Sequence, residues 1–193
     1  LSSNRIQTLG KFLFANKLDN LIELHLRNNF ITKLDPWYFF LRNIQTIDLS
    51  FNQINEFTND LALDIYSQLI FPQLRAARLI DLRNNLITAF DDYVLGLYGI
   101  CDELTLTYFI QFLYNMRLEN NPFSCDCIGS FNLIRMVQSR IRDNALDPNS
   151  LIFNARCQSP IEYQGQSVLN FANPANAFVC GTAPAPFRCP WAT

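Results

Sequence analysis

One spacing recurs through the first 120 residues of the chain: apolar, two variable, apolar, one variable, apolar, two variable, Asn, one variable, apolar. It reads Leu21, Leu24, Leu26, Asn29, Ile31, Leu34, then Ile44, Ile47, Leu49, Asn52, Ile54, Phe57, then Ala77, Ile80, Leu82, Asn85, Ile87, Phe90. The chain opens inside a copy, at Leu1, Asn4, Ile6 and Leu9, and another begins Leu113, Met116, Leu118, Asn121. Apolar residues two apart lie on one face of a strand, so they point inward together. The Asn then turns the chain, and its amide can satisfy buried backbone groups of the neighbouring coil. Asn4, Asn29, Asn52, Asn85 and Asn121 are expected to form such a ladder, and the stacked copies one parallel sheet over a continuous core.

The pattern resembles the leucine-rich-repeat template. The resemblance implies an α/β solenoid, a horseshoe with a parallel concave sheet and short convex helices. The ladder asparagines are 23 residues apart from Asn29 to Asn52, then 33 to Asn85 and 36 to Asn121. The later coils therefore carry inserts, near 58–73 and 91–112. Leu61, Ile65 and Leu69 have helical spacing in the first, stopped by Pro72. In the second, Asp102 is placed to cap a helix with Leu106 and Ile110 on one face.

Six cysteines, Cys101, Cys125, Cys127, Cys157, Cys180 and Cys189, suit disulfides and an oxidising compartment. A zinc site fits less well, because one residue separates Cys125 from Cys127 and His25 is the sole histidine. The segments Asn121-Pro122-Phe123-Ser124-Cys125-Asp126-Cys127 and Ala155-Arg156-Cys157-Gln158-Ser159-Pro160, with Gly165 and Val168-Leu169 beyond, resemble the C-terminal cysteine-rich flanking domain of extracellular leucine-rich-repeat proteins. Spacing leaves three pairings open for its four cysteines. The resemblance implies Cys125 with Cys157 and Cys127 with Cys180, in a disulfide-bonded C-terminal cap that covers the end of the solenoid. Cys101 and Cys189 could pair with each other, stay free or bridge to another chain. The expected division is repeats over 1–120, cap over 121–181 and a Pro-rich tail or linker over 182–193.

A net charge of −2 and a pI near 5.3 argue against nucleic-acid partners, which need a basic stripe. The longest apolar run, Tyr93 to Cys101, is far short of the roughly 20 residues of a membrane span, so no direct membrane insertion is expected in this segment. No phosphate loop, metal signature or nucleophile motif appears, and no cofactor, metal or catalysis is expected. A Ser–His–Asp arrangement would have to use His25 with Ser50 and Asp48 on an open face. The repeats instead suggest binding by the variable strand positions of the concave sheet: Glu23, His25 and Arg27; Thr46, Asp48 and Phe51; Leu79, Asp81 and Arg83; Asn115, Arg117 and Glu119. Ser50 lies among them. Mixed charge with aromatic and Arg anchors suits a protein ligand. The expected function is extracellular protein–protein recognition, as a receptor ectodomain or secreted binding protein. The alternative is a structural subunit of a matrix, coat or adhesive assembly, whose convex inserts contact a neighbouring extracellular subunit.

Overall fold

The computed structural model describes residues 1–10, 18, 20–34, 43–57, 77–89, 114–126 and 154–172. Four short strands, β1 (Glu23–His25), β3 (Thr46–Asp48), β5 (Leu79–Asp81) and β6 (Met116–Arg117), form one parallel sheet in the order β1-β3-β5-β6. Their register repeats the sequence register: Leu24 lies opposite Ile47, Ile47 opposite Ile80 and Ile80 opposite Met116. These residues, with Leu26, Leu49, Leu82 and Leu118 two places on, are buried. So are Ile31, Ile54, Ile87 and Phe123, each two places past a ladder asparagine. Each such side chain contributes on the order of 1.5–3 kcal/mol by leaving water, so every coil adds its own slice of core.

The strands stay short because each coil must turn after its third apolar residue. That turn is made by a residue in the left-handed region: Ser3, Asn28, Phe51, Asn84 and Asn120 all have φ of 55–60°. The ladder of backbone amides between coils continues through them. Asn28 N–H donates to Ser50 O, Phe51 N–H to Arg83 O and Asn84 N–H to Glu119 O.

The ladder asparagine follows immediately. Asn52 Oδ1 accepts the Ile31 N–H of the preceding coil at 3.1 Å. Its Nδ2 donates to Leu26 O of that coil and to Leu49 O of its own. Asn29, Asn85 and Asn121 repeat this geometry. Asn4 differs: among the described residues its amide donates to Leu1 O and Ser2 O of its own coil, and it is exposed. Buried asparagines thus satisfy carbonyl and N–H groups that the turn would otherwise leave unpaired.

Two further strand pairs flank the main sheet. β2 (Lys33–Leu34) lies parallel to β4 (Glu56–Phe57), a second line of pairing that the sequence reading did not anticipate. β7 (Phe123–Ser124) lies parallel to β8 (Cys157–Ser159), with a register shift between Phe123 and Ser124. A disulfide joins Cys125 to Cys157 beside this pair, with the Cα atoms 5.5 Å apart. Ala155, Val168 and Phe171 are buried there, and Tyr163 meets Phe171 edge to face at 4.9 Å. The convex helices expected over the two inserts, and Cys101, Cys127, Cys180 and Cys189, lie outside the described residues.

Candidate functional site on the sheet face

The parallel register turns the variable positions into rows across the sheet. Glu23 stands beside Thr46 and Thr46 beside Leu79. His25, Asp48, Asp81 and Arg117 make the next row. Arg27, Ser50, Arg83 and Glu119 follow two residues later along each chain. The twelve residues expected to form a binding face are therefore brought together on one side, but they are not equally available.

At the β1 end, Glu23, His25, Arg27 and Phe51 are exposed. His25 Nε2 lies 3.0 Å from Glu23 Oε2. The Arg27 guanidinium lies over the Phe51 ring, 4.5 Å from its centroid. Thr46, Asp48 and Leu79 are half-buried.

At the β5–β6 end the charges are turned on one another. Asp81 was expected to face solvent, and this is corrected: it is only 4% exposed. Arg83, two residues on, folds back over it. Arg83 Nε donates to Asp81 Oδ1 at 2.9 Å and to Oδ2 at 3.0 Å, while Nη2 and the Arg83 backbone N–H add to the clamp. Burial pushes the Asp81 carboxyl up, but the hydrogen bonds and charge of Arg83, helped by Arg117, outweigh it and hold the group below its ordinary range. Donating its N–H groups to Asp81 raises Arg83 in turn, against its own burial. Arg117 donates to Glu119 Oε1 at 2.9 Å, and both are half-buried. Asn115 donates to Ala77 O at 2.9 Å.

Ser50 requires the same correction, being fully buried. Its hydroxyl donates to Asp48 Oδ1 at 2.6 Å, and its N–H donates to the same oxygen at 3.0 Å. His25 meets Glu23 rather than Ser50, so these three residues do not form a nucleophile–base–acid chain. Among the described residues no group of His, Cys, Asp and Glu could hold a metal ion, and no helix is long and apolar enough to cross a membrane.

Among the exposed apolar residues that sequence reasoning missed are Phe30 and Leu86. Each directly follows a ladder asparagine, and that position was the available signal: the register places it outside the core. It also missed that Phe51 occupies a left-handed position. Asn28, Asn84 and Asn120 at the same place were the clue, because Asn tolerates that conformation and a bulky residue rarely does.

Residues 1–54 match the family model described as leucine rich repeat. No curated protein sequence matches the chain. Among solved structures, that of human 5T4 (Wnt-activated inhibitory factor 1, trophoblast glycoprotein) is similar, with a TM-score of 0.53 and 20% identity, covering 86% of this chain and 50% of that one. The chain thus spans about half the length of that relative, and at this identity the likeness concerns the fold. The family match over residues 1–54, the fold likeness, the asparagine ladder and the in-register parallel sheet together show a leucine-rich-repeat fold.

Proposed function

We propose that this chain is an extracellular protein–protein recognition module, a receptor ectodomain or secreted binding protein, that holds a protein partner on the solvent-facing side of its four-stranded sheet. The exposed β1 end carries this reading: Glu23 and His25 lie on a paired strand, and Arg27 and Phe51 follow two and three residues after paired strands. Arg and aromatic residues on a rigid support are the usual anchors of protein interfaces. The reading assigns no catalytic role to the face, since the Ser50 hydroxyl is buried and committed to Asp48.

The Cys125–Cys157 bond supports an oxidising, extracellular setting. It also supports taking 121–181 as a terminal cap. Ser124 N–H donates to Thr88 O of the fourth coil, and Phe123 is wholly buried, so this segment is joined to the last repeats. A cap hides the open core edge that a solenoid otherwise leaves.

Chemical cross-linking of the native protein in its source tissue, with each link mapped to a residue, tests the proposal. Links from Lys33, Glu23 or Asp48 to one foreign protein are the expected result. Links concentrated in 58–73 and 91–112 and joining many copies would replace it with the reading of a structural subunit.

A further inference from the structure

Three arginines lie on the sheet face, and two are engaged by carboxylates of their own coil: Arg83 by Asp81 and Arg117 by Glu119. Off the sheet, Lys33 is likewise paired with Glu56. Among the described residues no carboxylate pairs with Arg27. The acid in the neighbouring row, Asp48, is turned to the Ser50 N–H and hydroxyl. Glu23, on Arg27's own strand, meets His25. What Arg27 has instead is the Phe51 ring beneath its guanidinium.

The ring holds its place against local preference. Phe51 has φ of 55°, at a register position filled by Asn in three other coils and Ser in the first. The fold needs a left-handed residue there, and Asn supplies one with less strain. An aromatic residue adds nothing to the core at this position either, since Phe51 is 43% exposed. Its visible effect is on Arg27: the ring carries the guanidinium 4.5 Å above its centroid, while Arg27 itself stays exposed. A guanidinium so carried is prepared for the two parallel N–H···O bonds that a carboxylate accepts.

We infer that the Arg27–Phe51 stack is the anchor for a carboxylate side chain, Asp or Glu, flanked by an apolar residue on the protein partner. The carboxylate meets the guanidinium of Arg27, and the apolar neighbour covers the exposed part of the Phe51 ring. Charge complementarity selects this occupant: Arg27 is the cation that the face leaves without a carboxylate, next to its exposed aromatic surface. The inference rests on the recognition reading above and narrows it to one point of contact and one chemistry.

The probe is the dipeptide N-acetyl-Glu-Phe amide, with N-acetyl-Gln-Phe amide as its uncharged match, titrated at low salt into the ¹⁵N-labelled full chain. The readout is the side-chain Nε–H resonance of Arg27, compared with that of Arg78, which is exposed. The Glu peptide should shift Arg27 saturably and more than Arg78, and the Gln peptide should bind more weakly. Phe51→Asn keeps the left-handed backbone and the charge but removes the ring, and should weaken Glu-peptide binding about two- to fivefold. Equal shifts at Arg27 and Arg78, equal binding of the two peptides, or undiminished binding by Phe51→Asn with an otherwise native spectrum would overturn the inference. Separately, a partner cross-linked to the sheet face yet bound equally well by Arg27→Gln would overturn it while leaving the recognition reading intact. A partner mapped only to the inserts would remove the recognition reading itself.

Discussion

On β5 and β6, and just beyond them, Asp81, Arg83, Arg117 and Glu119 form two ion pairs that are largely withdrawn from water. On β1 and beyond β3, Glu23, His25, Arg27 and Phe51 remain exposed, and the arginine rests on a ring instead of a carboxylate. Both regions have the same strand geometry and a similar mixture of residue types. They differ in what stands two residues further along each strand. An acid followed at that spacing by an arginine closes on itself, as Asp81 does with Arg83. Asp48 followed by Ser50 accepts from a hydroxyl instead of from Arg27. Availability for a partner is thus set by side-chain pairing within the face and not by its overall charge.

The largest expected effect lies where the two regions join. Asn85 links β3's coil to β5's by accepting from Ile54 N–H and donating to Leu49 O and Leu82 O. Asn85→Ala strands these buried groups and should cost about 3 kcal/mol in urea unfolding. Asn4→Ala, at the exposed end of the ladder, should cost under about 0.5 kcal/mol.

Arg83→Ala comes next. It leaves the buried Asp81 carboxylate without its counter-charge and should destabilise by about 2 kcal/mol, less than for a fully buried pair because Arg83 is about a quarter exposed. Arg27→Ala should stay within about 0.5 kcal/mol of the native chain. Equal losses for the two arginines would erase the contrast between the regions.

Acid should sharpen it. The Asp81 carboxyl is held below its ordinary value of 3.8 in the folded protein. A depressed carboxyl contributes stability that is fully present above its unfolded value and is lost as pH falls through its folded one. The Asp81 contribution should therefore be constant from pH 7 to 5. The stability gap between native protein and Arg83→Ala should then narrow in unfolding measured below about pH 4.

A further, modest effect has the opposite sign. Phe51→Asn relieves a left-handed aromatic residue and should raise stability by about 0.5–1 kcal/mol in thermal unfolding, while weakening Glu-peptide binding.

Sequence made the fold readable because the repeat is a direct image of packing. The inward positions Leu24, Ile47, Ile80 and Met116 occupy one register, and a slip by one residue would expose every one of them. The rows of the face follow from the same register, so their membership was readable too. Burial within them was not. Alternation places Asp81 outward, and spacing does not reveal that Arg83 folds back onto it. The packing of Arg27 on Phe51 is equally invisible to spacing, because it joins two coils through side-chain direction. The two-residue pairing of β2 with β4 lacked any alternating run long enough to announce a strand.

The most direct test of the central claim places a photo-reactive benzoylphenylalanine at Glu23 in one variant and at Asn120 in another, both exposed and at opposite ends of the face. Each is irradiated in the presence of the partner that cross-linking of the native chain identifies. Adducts to that partner from position 23, with few or none from position 120, are the predicted result. Adducts from position 120 alone, or from both in equal yield, would contradict the assignment of recognition to the β1 end.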